Sequence, residues 1–481
     1  MVVGSTWMVA MRWAIRGVGL ISTMILARLL APHDFGLVAK AMLVVGMLEI
    51  MAETGQRLAI IRHPNPTRAH YDTAWTISII VNGTLALVLL LIAPLANILF
   101  HEPAAVVLVR ILALRTLLNG FENIGTVDFR RYMLFSKDFQ YNLTNKICTF
   151  VVTITLAVIF RNYIALVGGI VAGQVILVIV SYIVSPYRPR LSLEKFSEIR
   201  SYSFWVLMAT MGMYLLGKVD QWILSSRATD SVLGQYTVGS DLAQLPTSEV
   251  IVPAERALYP VYSRLWTTSK EEMVRVLVNN MRFIAIICAA TGVGVAAVAN
   301  DFVLVVLGHQ WTETSQFVVY IALASAINGF NSSTAIIFNV TGHVRQSSAL
   351  AWSRVALAVP CLLIGYKYNG ALGLAQSLLV ANAIFTPGFY VQLLKVLPLT
   401  WRDMLEIVWR PLLSSGFMAL VLGLQPFANI DNAVIRLLCE VTTGAISFTA
   451  ALYLLWYIAG RPDGSERMVA MQVRTRLMAL R

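Results

Sequence analysis

Charge is scarce in this chain. Asp, Glu, Lys and Arg make up 13% of its 481 residues, where a soluble domain carries about a quarter. Hydrophobic residues reach 58%, which leaves too little polar surface to cover a water-soluble body. Cysteine is equally thin. Cys148, Cys288, Cys361 and Cys439 lie far apart in apolar stretches, with no C-x-x-C and no Cys/His pairing. Neither a disulfide framework nor a metal site is implied, and no cofactor is expected. A Walker A run is missing too, so ATP hydrolysis is not expected. The gaps between apolar stretches are short, with no room for a soluble catalytic, nucleotide-binding or sensor domain. The start lacks a basic n-region and a cleavage site, and does not read as a signal peptide.

What is present is a series of apolar stretches, each near the ~20 residues that an α-helix needs to cross a bilayer. They predict membrane helices near 7–30, 37–54, 73–100, 104–124, 141–160, 164–185, 201–225, 232–250, 276–300, 314–340, 346–368, 371–397, 404–426 and 431–458. The expected fold is an all-α polytopic membrane protein of about fourteen helices.

Basic residues crowd into every second gap. Arg57, Arg62 and Arg68 share one; Arg130, Arg131 and Lys137 the next; then Arg188, Arg190, Lys195 and Arg200; then Arg256, Arg264, Lys270 and Arg275. A tail adds Arg461, Arg467, Arg474, Arg476 and Arg481. The opposite gaps are nearly bare, such as His101-Glu102-Pro103 and Arg161-Asn162. Lys and Arg mark the cytoplasmic side, so both termini are expected inside. The net charge of +12 is the sum of these loops and does not point to nucleic acid.

A weak internal repeat runs through the pattern. Leu30-Ala31-Pro32-His33-Asp34-Phe35-Gly36 and Ala228-Thr229-Asp230-Ser231-Val232-Leu233-Gly234 each precede a helix with an apolar residue and Gly. The two lie six helices apart, which gives both copies the same orientation, as in transporters built from parallel repeats. An apolar-Gly pair at a helix start is also common by itself.

These residues carry a resemblance. Arg28, with Asp34, Phe35 and Gly36 after the first helix, then Asp220, Gly234 and Tyr236, then Pro246, Pro253 and Tyr259-Pro260-Val261-Tyr262-Ser263, resemble the polysaccharide transporter family. These are Wzx-type flippases of lipid-linked oligosaccharides, in the MOP superfamily that also holds the MATE exporters and the lipid II flippase. The segments Val127–Arg131 and Phe135–Phe139 resemble the colanic-acid-exporter branch. The resemblance implies two six-helix lobes, 1–200 and 201–400, around a central cavity, with accessory helices in 401–460 and a basic tail in 461–481. It implies alternating access in a bacterial inner membrane, and a cargo of undecaprenyl-diphosphate-linked sugar units. Membrane lipids, a polysaccharide polymerase and export machinery are the implied partners.

Charges inside the apolar stretches are the candidates for a site, because each is costly there and needs a cavity or a partner. Arg12 and Arg16 share one face of the first helix, and a guanidinium fork suits a diphosphate. Both could instead snorkel to the headgroups. Arg115 and Lys218 are further cavity cations. Glu49, Asp220 and Asp241 are candidates for coupling or for pairing. Arg436 and Glu440, four apart, read as a self-satisfied pair. Asn328, Asn331, Asn339 and Asn382 could bond sugar hydroxyls or neighbouring helices, and Trp205 and Trp222 could stack on a sugar. Gly169-x-x-x-Gly173 permits close helix packing.

The leading expectation is a flippase. An ion-coupled exporter of small amphipathic molecules shares the fold, but the surplus of intramembrane arginine favours an anionic cargo. A polymerase or ligase would need an external catalytic loop that the gaps do not provide, so the chain is not expected to be an enzyme.

Overall fold

The computed structural model describes residues 2–52, 56–199 and 204–461. Long helices fill it, and among the described residues there is no strand. They are α1 (Val2–Leu29), α2 (Pro32–Ala52), α3 (Arg68–Phe100), α4 (Pro103–Gly120), α5 (Phe135–Phe160), α6 (Tyr163–Val184), α7 (Phe204–Arg227), α8 (Asp230–Thr268), α9 (Lys270–Ala297), α10 (Thr314–Val340), α11 (344–368), α12 (371–396), α13 (Trp401–Gly423) and α14 (Ala433–Ile458). The pair α11 and α12 is one run, Val344–Val396, folded back where Asn369 and Gly370 leave helical geometry. Gly370 takes φ +54° there. The return is close: a Cβ on Gly373 would lie 2.1 Å from the Gly365 carbonyl oxygen.

Nine described helices are long and apolar enough to cross a bilayer, the folded-back run counting once. The chain is an all-α multi-pass membrane protein. Among the helices outside these nine, α2, α7 and α8 carry Lys40, Glu49, Lys218, Asp220 and Asp241 in their interiors.

The bare gaps are capping turns. His101 closes α3 in the left-handed region at φ 52°, and Pro103 opens α4 at the position where a missing N–H costs nothing. Arg161 closes α5 at φ 48°, and the Asn162 side chain accepts from the Ile164 N–H at 3.0 Å to start α6. Such short turns force antiparallel helix hairpins.

Helix ends differ most from expectation on the basic side. α8 was expected over 232–250, yet it runs unbroken to Thr268 through Pro246, Pro253 and Pro260. Arg264 therefore lies in a helix, while Lys270 and Arg275 belong to the first turns of α9. Hydropathy registers only the part of a helix that meets lipid, and membrane helices tolerate proline because neighbouring groups satisfy the freed carbonyls. Short helices over Gln56–Arg62, Asp128–Arg131 and Phe196–Ile199 occupy other basic gaps.

Contacts divide the chain into Met1–Gly234 and Gln235–Arg481. In the first unit the core joins Leu26, Leu30, Leu37 and Val45 to Leu89, Leu108 and Leu112, with Ala41, Ala93, Ala105 and Ala165 fully buried between them. Small residues let helices approach in lipid, where no hydrophobic force drives them together. Gly169 and Gly173 follow the same rule, lying against Thr153 and Thr149 of α5. In the second unit Tyr262, Met273, Leu277, Met281, Ile337, Tyr390 and Leu393 form the main core. The outer faces stay apolar: Leu91, Ile98, Ile159 and Ile183 are each at least 66% exposed, a surface suited to lipid tails.

Candidate functional site

Polar groups at membrane depth fall into separate clusters. On α4, Arg115 and Thr116 lie one turn before Asn119 on the same side of the helix, and Glu122 follows just past its end at Gly120. Arg115 Nη1 donates to Glu49 Oε1 of α2 at 2.5 Å, and the Thr116 hydroxyl donates to the same oxygen at 3.3 Å. Asn119 donates to Asn82 of α3 at 3.2 Å and accepts from Gln174 of α6 at 3.5 Å. Glu122 is buried; it accepts from Arg57 at 2.5 Å and from the Tyr141 hydroxyl at 2.9 Å. The sequence leaves Glu49 between coupling and pairing, and the structure supplies Arg115 of α4 as its partner.

Arg12 lies outside the residues whose side chains are described. Arg16 is exposed on α1, within electrostatic reach of Lys146 on α5. The end of the Lys146 side chain passes Gly19, where even a Cβ would meet it at an ordinary 3.8 Å. Two cations within electrostatic reach of each other make a patch that suits an anion.

The motif residues do structural work. Asp34 accepts from the Ala31 N–H at 3.0 Å and from the Tyr163 N–H at 2.9 Å, which ties the start of α2 to that of α6. Lys40 pairs with Asp230 at 2.5 Å in a buried ion pair, and His33 lies 3.5 Å from the same carboxylate. The two repeated stretches pack on each other. A Cβ on Gly36 would fall 1.8 Å from the Asp230 carbonyl oxygen, and one on Gly234 would fall 1.9 Å from that of Pro32. Tyr236 is fully buried, edge-on to Phe317 at 5.5 Å. Arg28 is exposed and Phe35 half-buried.

Lys218 donates to Gln221 at 3.2 Å. Asp220 is buried, and one carboxylate oxygen accepts from the Gln221 N–H at 2.8 Å. Asp241 is exposed on α8. Trp222 packs on Phe100 at 6.1 Å, and the Trp205 side chain lies outside the described residues.

In the second unit, Arg436 does not pair with Glu440. Its fork grips Asp301 instead, Nε donating to Oδ2 at 2.6 Å and Nη2 to Oδ1, while Nη1 donates to the Ile430 carbonyl at 3.0 Å. A bidentate guanidinium–carboxylate pair is stronger than an i,i+4 contact along one helix. Asp301, Arg436 and Glu440 line a cavity of about 600 Å³ with Val293, Leu323 and Leu422. Of the four asparagines singled out on α10 and α12, Asn328, Asn331 and Asn382 are engaged by protein, and Asn339 is exposed. Asn331 donates to Thr386 at 2.9 Å, and Asn328 and Asn382 both accept from Arg354.

His63, His70 and Glu198 bring three metal-ligating atoms within 4.8 Å of one another. His70 Nδ1 accepts from the Thr67 N–H at 3.1 Å, as part of the α3 cap. Its proton therefore sits on Nε2, which donates to Glu198 at 2.9 Å. That tautomer closes a hydrogen bond and leaves no lone pair on Nε2 for a metal. Lys195 donates to the same carboxylate at 2.8 Å, and with His70 holds Glu198 at a pKa of about 2.

Residues 25–316 match the model of a family described as polysaccharide biosynthesis protein. The chain is 24% identical over 457 residues to the succinoglycan biosynthesis transport protein ExoT of Rhizobium meliloti (strain 1021), covering 93% of this chain and 92% of that one. It is 20% identical over 419 residues to the lipopolysaccharide biosynthesis protein WzxC of Escherichia coli (strain K12), covering 85% and 84%. In fold it is similar to the lipid II flippase MurJ in an inward closed conformation, with a TM-score of 0.76 over 96% of this chain and 100% of that one at 14% identity. It is also similar to an inward-facing multidrug resistance MATE family transporter, with a TM-score of 0.64 over 78% and 92% at 14% identity.

Proposed function

Because this chain belongs to the polysaccharide biosynthesis protein family, we propose that it is a flippase. It carries undecaprenyl-diphosphate-linked oligosaccharide repeat units across the bacterial inner membrane, for exopolysaccharide, capsule or O-antigen assembly. The observation that carries this reading is the near end-to-end match to ExoT, a transport protein of succinoglycan biosynthesis. The MATE likeness is one of fold and brings no substrate with it.

Lobes over 1–200 and 201–400 alternate in exposing a cavity to each side, and helices in 401–460 are accessory. The basic gaps and both termini face the cytoplasm, by the positive-inside rule. Arg16, with Arg12 next to it on the same face, receives the diphosphate, and Lys146 adds a second charge to that patch. Arg115 and Lys218 add to the cationic set. Glu49, Asp220 and Asp241 are the acids available for coupling. The cargo passes to a polymerase and the export machinery on the far side.

A deletion strain tests this directly. Lipid-linked sugars extracted from it should accumulate on the cytoplasmic leaflet as single undecaprenyl-linked units. Accumulation of unpolymerised units on the periplasmic leaflet would show transport intact without this chain and would remove the flippase reading.

A further inference from the structure

Arg354 lies on α11 about 15 Å from its start at residue 344, near half of the ~30 Å hydrocarbon core. Its surroundings are neutral. Nη2 donates to Asn328 Oδ1 of α10 at 2.8 Å and to Asn382 Oδ1 of α12 at 3.1 Å. The guanidinium carbon lies 5.6 Å from the ring centre of Phe385 and 5.2 Å from that of Phe389. Among the described residues no carboxylate pairs with it, whereas Arg57, Arg115 and Arg436 each hold one.

The arrangement fixes a charge without neutralising it. Two amide oxygens and two aromatic faces stabilise a cation, yet they engage only the Nη2 protons. The protons on Nη1 and Nε remain, a number and geometry suited to phosphate oxygens. Asn328 and Asn382 each sit near the middle of their own helix, so the held guanidinium is a midplane feature. Substrate sites in transporters of repeated helices lie at this depth.

We propose that Arg354 is an anion-binding residue that meets the diphosphate of the lipid-linked cargo as it crosses the bilayer midplane, with Asn328 and Asn382 as the residues that aim it. The ligand class is an isoprenyl diphosphate, and the choice of that ligand rests on the flippase reading. The two amides serve position: their oxygens are occupied by the guanidinium, and they need not touch the sugar.

Binding of farnesyl diphosphate to the purified full-length protein in detergent tests the assignment, with farnesol as the uncharged control. Wild type should bind the diphosphate more tightly than the alcohol. Arg354→Ala should weaken diphosphate binding at least tenfold and leave farnesol unchanged. Arg354→Lys, which keeps the charge and loses the fork, should fall between. Equal diphosphate affinity in wild type and Arg354→Ala would overturn the proposal, as would a parallel loss of farnesol binding, which marks a packing defect. Wild-type protein that does not distinguish diphosphate from alcohol would overturn it too. The leaflet assay stays independent. Cytoplasmic accumulation in the deletion strain, with full export restored by Arg354→Ala, removes Arg354 and keeps the flippase. Periplasmic accumulation, with diphosphate binding still lost in Arg354→Ala, keeps the anion site and removes the flippase.

Discussion

At Glu49 and Arg115, both side chains are about three-quarters buried and each is the other's counter-charge. Glu49→Gln leaves a cation facing an amide at membrane depth, and should destabilise the protein by about 2 kcal/mol. Glu49→Gln combined with Arg115→Met removes both charges and should recover most of that loss. Thermal unfolding of the three variants in detergent checks this; additive losses would show that the two residues act separately. Glu198 supplies the residue-scale dependence on pH. Lys195, and then His70, hold its pKa at about 2 in the folded protein, against an ordinary ~4.3. A lowered folded-state pKa stabilises above the ordinary value, and that contribution disappears as the pH falls through about 2. Amide exchange over residues 192–199, corrected for its intrinsic pH dependence, should stay constant from pH ~7 to ~5 and rise below ~4. Glu198→Gln should abolish the difference, and a wild-type rise already near neutrality would refute the assignment. Sequence could not pair these residues. Glu49 and Arg115 are 66 positions apart, Arg436 and Asp301 are 135 apart, and a charge in an apolar stretch gives no sign of which neighbour will reach it.

Helices themselves were largely legible, because lipid demands that each segment satisfy its own backbone and so writes the requirement locally. Their ends beyond the lipid were not. α8 passes three prolines and continues well past 250, where the apolar signal stops. The apolar-Gly starts at 36 and 234 could be seen in the sequence, but not that they touch. Their contact gives the element-scale test. Gly36→Ala places a methyl within 1.8 Å of a backbone oxygen, which α2 and α8 can relieve only by moving apart, at a cost of about 3 kcal/mol or more. Gly217→Ala in α7 meets nothing within 4 Å and should be neutral or slightly stabilising, since alanine favours helix by about 1 kcal/mol. Folded yield and thermal midpoint separate the two, and equal behaviour would mean that the crossing is looser than drawn.

For the whole molecule, alternating charge sets the topology, and two reporter fusions probe it. A fusion after Lys195 should report cytoplasm and one after Lys367 periplasm; both on the same side would break the count of crossings between them. The fold class and the flippase reading both follow from features spread along the full length, which a single sequence retains. The cavity cations are a different matter. Arg354 stands in an apolar stretch of the sequence, but the two amides and two phenyl rings that hold it come from α10 and α12 and are joined only by folding.

The glycine crossing carries one more meaning. Gly36 rests on the carbonyl of residue 230, and Gly234 rests on the carbonyl of residue 32. The same interval in sequence separates the two glycines and the two carbonyls. Position i meets position j, and the equivalent of j meets the equivalent of i, which is the reciprocity of an isologous interface. A chain of half this length carrying one such hairpin would have the means to join a copy of itself about a twofold axis, with no surface to invent.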